Sequence, residues 1–208
     1  MEERVRIAVG DVALDGRLAV PPDAAGGAVL CHPHPQFGGS MENDLVRALT
    51  RALGAAGFAT LRFDFRGVGA SGGAYDDGRS EVADVRAAAA LLRARLGGAR
   101  VTLAGYSFGA VMALRAGAAE PDRTRAIVAI APPVRMVGLD FLAGCGVPLA
   151  FVTGDRDQFC PLAMLESARE RFAPASTLAL VPGADHFFGA HLDALAARVV
   201  DRVRTTAA

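Results

Sequence analysis

The fold class the sequence predicts is a doubly wound α/β domain: a mostly parallel sheet of eight strands, helices on both faces, and no cap domain. Short apolar runs (GAVLCHP, FATLRFDF, RVTLAGY, AIVAIAP, PLAFVTG, TLALVPG) alternate with alanine- and leucine-rich segments of helical length. Strand and helix in strict alternation place parallel strands in one sheet and helices on its two faces. A chain of 208 residues suits one domain, 1–208, with one hydrophobic core and one active site. Only 15 residues separate AIVAIAP from PLAFVTG, too few for a helical cap.

Each element has its own signal. The start reads as two strands, RVRIAVG and GRLAVP, joined through Asp15-Gly16, a dipeptide suited to a tight antiparallel hairpin. Helices are expected at about 43–54, 80–96, 108–119, 162–172 and 191–204. Gly54, Gly97 and Gly117 are read as helix-ending glycines. No internal repeat or low-complexity linker interrupts the series.

Charge and cysteine usage exclude several functions. Lysine plus arginine and aspartate plus glutamate each total 22, so no basic or acidic field exists to steer nucleic acid or a membrane surface. The start MEERVRIAVGDVALDG lacks the pattern of a secretory signal, and no run approaches the roughly 20 apolar residues of a membrane span. A cytoplasmic protein is expected, with a small-molecule acyl substrate as partner and a homodimer compatible with the composition. Cys31, Cys145 and Cys160 form no CxxC pair, which argues against a disulfide framework and a zinc site.

The GxSxG pattern, which holds a serine on a sharp strand-to-helix turn, occurs twice. Gly105-Tyr106-Ser107-Phe108-Gly109 follows the strand RVTLAG and precedes the helical FGAVMALRAG. Gly69-Ala70-Ser71-Gly72-Gly73 has loop on both sides and reads as a turn. Ser107 is therefore the candidate nucleophile. The glycine loop Gly67 to Gly72 also satisfies GxGxxG, yet no helix opens on its third glycine and no strand ends in an acid about 20 residues on. A dinucleotide site is rejected on those grounds.

A serine hydroxyl needs a base to take its proton and an acid to orient that base. Of four histidines, His32 and His34 precede the serine, whereas this arrangement runs serine, acid, histidine along the chain. His186 lies just past TLALVPG, at the carboxyl end of a strand where open α/β sheets bind ligands. It is the candidate base, with His191 as the alternative. Asp185 adjoins His186 and points elsewhere, so the acid comes from another strand end. PLAFVTG ends in Asp155-Arg156-Asp157, and the residues alone leave these two aspartates even. Oxyanion donors are expected from the N–H of Phe108 and from the loop HPHPQFGGS. Pro33 and Pro35 have no N–H, which leaves His34, Gln36 or Phe37; Gln36 is preferred. Asp64 and Arg66 in RFDFRG are read as a structural pair, and Tyr106 as packing.

On HPHPQFGGSMEND, FRGVGASGG, GYSFG, GDRDQFCP and GADHFF, the chain resembles the small, capless α/β-hydrolases related to dienelactone hydrolase and uncharacterised bacterial serine hydrolases. The likeness extends over nearly the whole length. It implies an acid in a GxxDxxxP pattern, met by Gly154, Asp157 and Pro161, and so favours Asp157. It points also to Ser107 and His186. Dienelactone hydrolases proper use a cysteine nucleophile; the serine here argues against dienelactone as substrate. The expected activity is carboxylesterase or thioesterase chemistry through an acyl-enzyme, with no metal or organic cofactor. A non-hydrolytic acyl transferase and a catalytically silent binding protein are the alternatives.

Overall fold

The computed structural model describes residues 2–173 and 175–205. Along the chain run β1 (Glu3–Val9), β2 (Val12–Ala19), β3 (Gly27–Cys31), α1 (Asp44–Ala55), β4 (Ala59–Phe63), α2 (Glu81–Arg95), β5 (Val101–Tyr106) and α3 (Phe108–Ala119). They are followed by β6 (Thr124–Ile130), β7 (Leu149–Gly154), α4 (Leu162–Phe172), β8 (Thr177–Val181) and α5 (Leu192–Thr205). The eight strands form one sheet in the order β1-β2-β4-β3-β5-β6-β7-β8. β2 pairs antiparallel with β1 and β4, and the remaining pairs are parallel. This is the α/β-hydrolase fold.

Side chains alternate across the sheet as the period of two requires. Ala28 and Leu30 of β3, with Ala150 and Val152 of β7, meet Leu45, Leu49 and Leu53 of α1 and Leu195 and Val199 of α5. Val29 and Cys31, with Leu149 and Phe151, face Val85 and Leu92 of α2 and Val111 and Leu114 of α3. Both faces being covered explains why the central strands read as continuous apolar runs. α1 begins where the Asn43 side chain accepts the Leu45 N–H at 3.1 Å. α3 is buried over nearly all its length, so its alanines and glycines serve close packing.

The antiparallel hairpin forms, but its turn differs from expectation. Gly10 (φ 56°) opens a two-residue turn between Val9 and Val12, while Asp15 and Gly16 lie inside β2. A side chain at Gly16 would press on the Arg62 carbonyl of β4, so this glycine serves strand packing. Gly97 (φ 65°) does follow α2 in the left-handed conformation. Gly54 and Gly117, by contrast, lie within α1 and α3; Gly57 (φ 86°) takes the left-handed position after α1, and Gly117 lets α3 approach Ile127.

The connection from β6 to β7 carries only a single short turn, Asp140–Leu142, and leaves the carboxyl ends of the strands uncapped. No helix among the described residues is long and apolar enough to cross a membrane.

Candidate active site

β5 ends at Tyr106, and Ser107 connects it directly to α3. Ser107 has φ 55° and ψ −116°, a conformation costing a non-glycine residue about 1–3 kcal/mol. Its N–H donates to the Ile130 carbonyl at 2.9 Å, tying the elbow to β6. The flanking glycines are steric necessities. A Cβ on Gly105 would overlap the Gly109 carbonyl, and one on Gly109 would overlap the Cys31 carbonyl at the end of β3.

The Ser107 hydroxyl lies 3.0 Å from His186 Nε2, and His186 Nδ1 lies 2.8 Å from Asp157 Oδ2. His186 and Asp157 are buried, while Ser107 is half-buried. Asp157 Oδ1 accepts the N–H groups of Phe159 and Cys160, both at 2.8 Å, so the backbone aims this carboxylate. Gly154 permits the arrangement, since a Cβ there would overlap the Ala184 carbonyl of the base loop. Pro161 then starts α4.

Asp155 points elsewhere: its exposed carboxylate accepts the Gly183 N–H at 2.7 Å. Asp185 accepts the Phe187 N–H. His191 ends the short turn Gly189–His191 and makes no bond to Ser107 or Asp157 among the described residues. Ser71 is buried, donates to the Asp64 carbonyl at 2.7 Å and accepts the Asp15 N–H at 2.9 Å. It is a structural hydroxyl, more firmly held than a turn serine. The Gly67–Gly72 loop leads into no helix until α2 begins at Glu81.

Phe108 opens α3, so its N–H has no acceptor within the helix. Gln36, the donor preferred from the sequence, has its amide engaged within the HPHPQF loop. The Gln36 N–H donates to His34 Nδ1 at 3.2 Å, and the Phe37 N–H donates to the His34 carbonyl at 3.1 Å. Both amides are spent inside the loop. No acceptor for the His34 N–H is found among the described residues.

Two further expectations need correction. Arg66 pairs with Asp84 of α2 at 2.6 Å, not with Asp64, whose Oδ1 accepts the Met41 N–H at 2.7 Å. Burial pushes the Asp64 carboxyl above its ordinary range. Tyr106 does more than pack: its hydroxyl donates to the His186 carbonyl at 3.0 Å and holds the base loop. Its phenol is raised by burial and by the Asp157 and Asp185 charges, and stays protonated.

His32 is fully buried, its Nδ1 2.6 Å from the Pro33 carbonyl and its Nε2 accepting the Phe65 N–H at 3.0 Å. Burial lowers its pKa to about 4, so it is a neutral staple between two loops. The Cys160 thiol beside Asp157 is pushed up to about 12 by burial and is not a competing nucleophile. Among the described residues no group of three or more His, Cys, Asp or Glu side chains is placed to hold a metal ion.

An aromatic rim surrounds these groups. Phe37, 84% exposed, stands 4.8 Å from the His34 ring, and Phe187, 62% exposed, 5.6 Å from His186. Phe159 lies 4.8 Å from His186 and 6.4 Å from Phe187. Sequence reasoning missed Tyr75, whose hydroxyl lies 3.1 Å from His34 Nε2. The available signal was that the chain has only two tyrosines, one in the serine motif and one in the glycine-rich loop.

The chain is similar to a lidless α/β serine hydrolase from Xanthomonas campestris, with a TM-score of 0.87 and 33% identity, covering 98% of this chain and 94% of that one. It shares the fold of a dienelactone hydrolase from Anabaena variabilis, with a TM-score of 0.85 and 24% identity over 99% and 97% of the two chains. An uncharacterised protein of Rickettsia prowazekii is 34% identical over 186 residues, 84% of this chain and 77% of that protein. Residues 37–142 match the family described as serine aminopeptidase, S33. From the match across the elbow and the lidless architecture it accompanies, the chain belongs to that family and is a small, capless α/β serine hydrolase.

Proposed function

We propose that the chain hydrolyses small or accessible esters or thioesters through an acyl-enzyme intermediate. The observation that carries this reading is the unbroken line from Ser107 through His186 to Asp157, with contacts of 3.0 and 2.8 Å at a strained elbow. In the proposed mechanism His186 Nε2 takes the Ser107 proton as Oγ attacks the acyl carbonyl. Asp157 holds the proton of Nδ1 in place and stabilises the imidazolium that forms. The imidazolium then protonates the leaving alcohol or thiol, and water, activated by the same nitrogen, releases the acid.

The oxyanion of each tetrahedral intermediate is assigned to the N–H groups of Phe108 and His34, with the positive end of α3 adding to the field. Phe37, Phe159 and Phe187 offer apolar surface to an acyl or alcohol group. The uncapped strand ends support a preference for groups that need no enclosure.

A fluorophosphonate probe with mass mapping tests this reading. The wild-type protein is expected to carry the adduct on Ser107, and Ser107→Ala to carry none. Labelling that persists in Ser107→Ala would refute the mechanism. A wild-type protein that takes no label would be a silent member of the fold.

A further inference from the structure

Resting on the reading of Ser107 as nucleophile, we propose that Tyr75 and the His34 imidazole form a brace that positions the second oxyanion donor, the His34 N–H. Tyr75 is a positioning residue in this scheme.

The proton inventory of the His34 ring carries the argument. Nδ1 faces the N–H of Gln36 at 3.2 Å and must therefore be the unprotonated nitrogen. The ring proton sits on Nε2, which donates to Tyr75 Oη at 3.1 Å. One neutral imidazole thus accepts from its own loop and donates to another. Burial lowers the His34 pKa, against the nearby charges of Asp77 and Glu81, and favours this neutral form.

The brace acts where the donors lie. The His34 ring is 5.1 Å from Phe108, whose N–H is the other donor, and 5.1 Å from Tyr75. On the carboxyl side of His34, its carbonyl accepts the N–H groups of Phe37 and Gly39, both at 3.1 Å. Pro33 and Pro35 flank it with restricted φ angles. The peptide bearing the His34 N–H is then free to tilt only if the side chain turns, and the ring is held at both nitrogens.

Tyr75 is itself anchored. The next residue, Asp76, donates its N–H at 2.7 Å to Glu81 Oε1, a fully buried carboxylate at the start of α2. Gly67 (φ 74°) allows close packing against the backbone of Ala74 and Tyr75. The hydroxyl therefore connects the oxyanion loop to a fixed part of the molecule.

The test uses Tyr75→Phe, His34→Ala, His34→Asn and the Tyr75→Phe/His34→Ala double variant. Readouts are kcat and KM for p-nitrophenyl acetate, Ki for an aliphatic trifluoromethyl ketone, Gln36 amide exchange by NMR, and thermal melts. Tyr75→Phe is expected to lower kcat about tenfold with KM within about twofold of wild type, and to weaken the ketone by a similar factor. His34→Ala is expected to lose about 10² in kcat and the protection of the Gln36 amide. His34→Asn, whose Oδ1 can accept the Gln36 N–H, should keep that protection and recover to within about tenfold of wild type. Adding Tyr75→Phe to His34→Ala should cost nothing more, because the two act through one brace.

Wild-type kcat and ketone affinity in a folded Tyr75→Phe would overturn the proposal, as would full additivity in the double variant or equal activity in His34→Ala and His34→Asn. A wild-type protein that takes no fluorophosphonate removes both readings together. Labelling on Ser107 with unchanged variants removes this one alone.

Discussion

Asp157→Asn separates the acid from its neighbour, and the backbone around it sets the size of the effect. The Asp157 carboxylate is buried, with Oδ1 accepting two backbone N–H groups at 2.8 Å and Oδ2 facing His186 Nδ1 at 2.8 Å. An asparagine has one oxygen to give. Turning its NH₂ toward Phe159 and Cys160 would set it against two N–H donors, each costing about 1–3 kcal/mol when buried without a partner. The oxygen therefore stays on the backbone side and the NH₂ faces Nδ1. A donor there makes Nδ1 the acceptor and moves the ring proton to Nε2, the atom 3.0 Å from the Ser107 hydroxyl. A base already protonated at that nitrogen cannot accept the serine proton. The expected loss in kcat is about 10⁴, as for this substitution in the chymotrypsin-type triad, or about 5–6 kcal/mol of barrier. Asp155→Asn keeps an oxygen for the Gly183 N–H and should change kcat by less than about threefold, with at most about 1 kcal/mol of stability lost. The assay is kcat on a p-nitrophenyl ester for both variants, with thermal melts to show folding. A folded Asp157→Asn within about tenfold of wild type, or an Asp155 variant more impaired than it, would refute the assignment.

Ser71→Ala should keep fluorophosphonate labelling on Ser107 but lose about 1–3 kcal/mol of stability in denaturant melts, because the buried Asp15 N–H and Asp64 carbonyl lose their shared partner. Acid stability should carry the signature of His32, whose pKa falls from 6.5 unfolded to about 4 folded. Between those values the unfolded chain binds a proton that the native chain does not, so stability rises with pH there and falls on acidification, by roughly 3 kcal/mol at pH 4. His32→Gln should flatten that slope in melts across pH 4–7; identical slopes would contradict the buried neutral ring. Across p-nitrophenyl esters of increasing chain length, kcat/KM should be highest for short acyl groups, with no jump at the micelle threshold. Interfacial activation would contradict an uncapped site.

The primary structure alone determined the order of strands and helices, because hydrophobic periodicity and glycine punctuation are local signals carried by neighbouring residues. It also singled out Ser107 over Ser71, since a strand before and a helix after are read from the same local pattern. Tertiary packing decided what depends on residues distant in the chain. Asp155 and Asp157 both follow β7; their residue types leave them even and the family resemblance favours Asp157. In the fold it is Asp157 that meets His186 in the loop after β8, 29 residues on, while Asp155 accepts the Gly183 N–H. Asp15-Gly16 has the chemistry of a turn, yet contact with Arg62 of β4 made Gly16 a packing position inside β2. Arg66 found Asp84 on α2 in place of the nearer Asp64. The Gln36 N–H meets the side chain of His34, whose ring in turn contacts Tyr75, 41 residues away. In each case a polar group had several partners within reach of its chemistry, and the geometry of packed elements selected one.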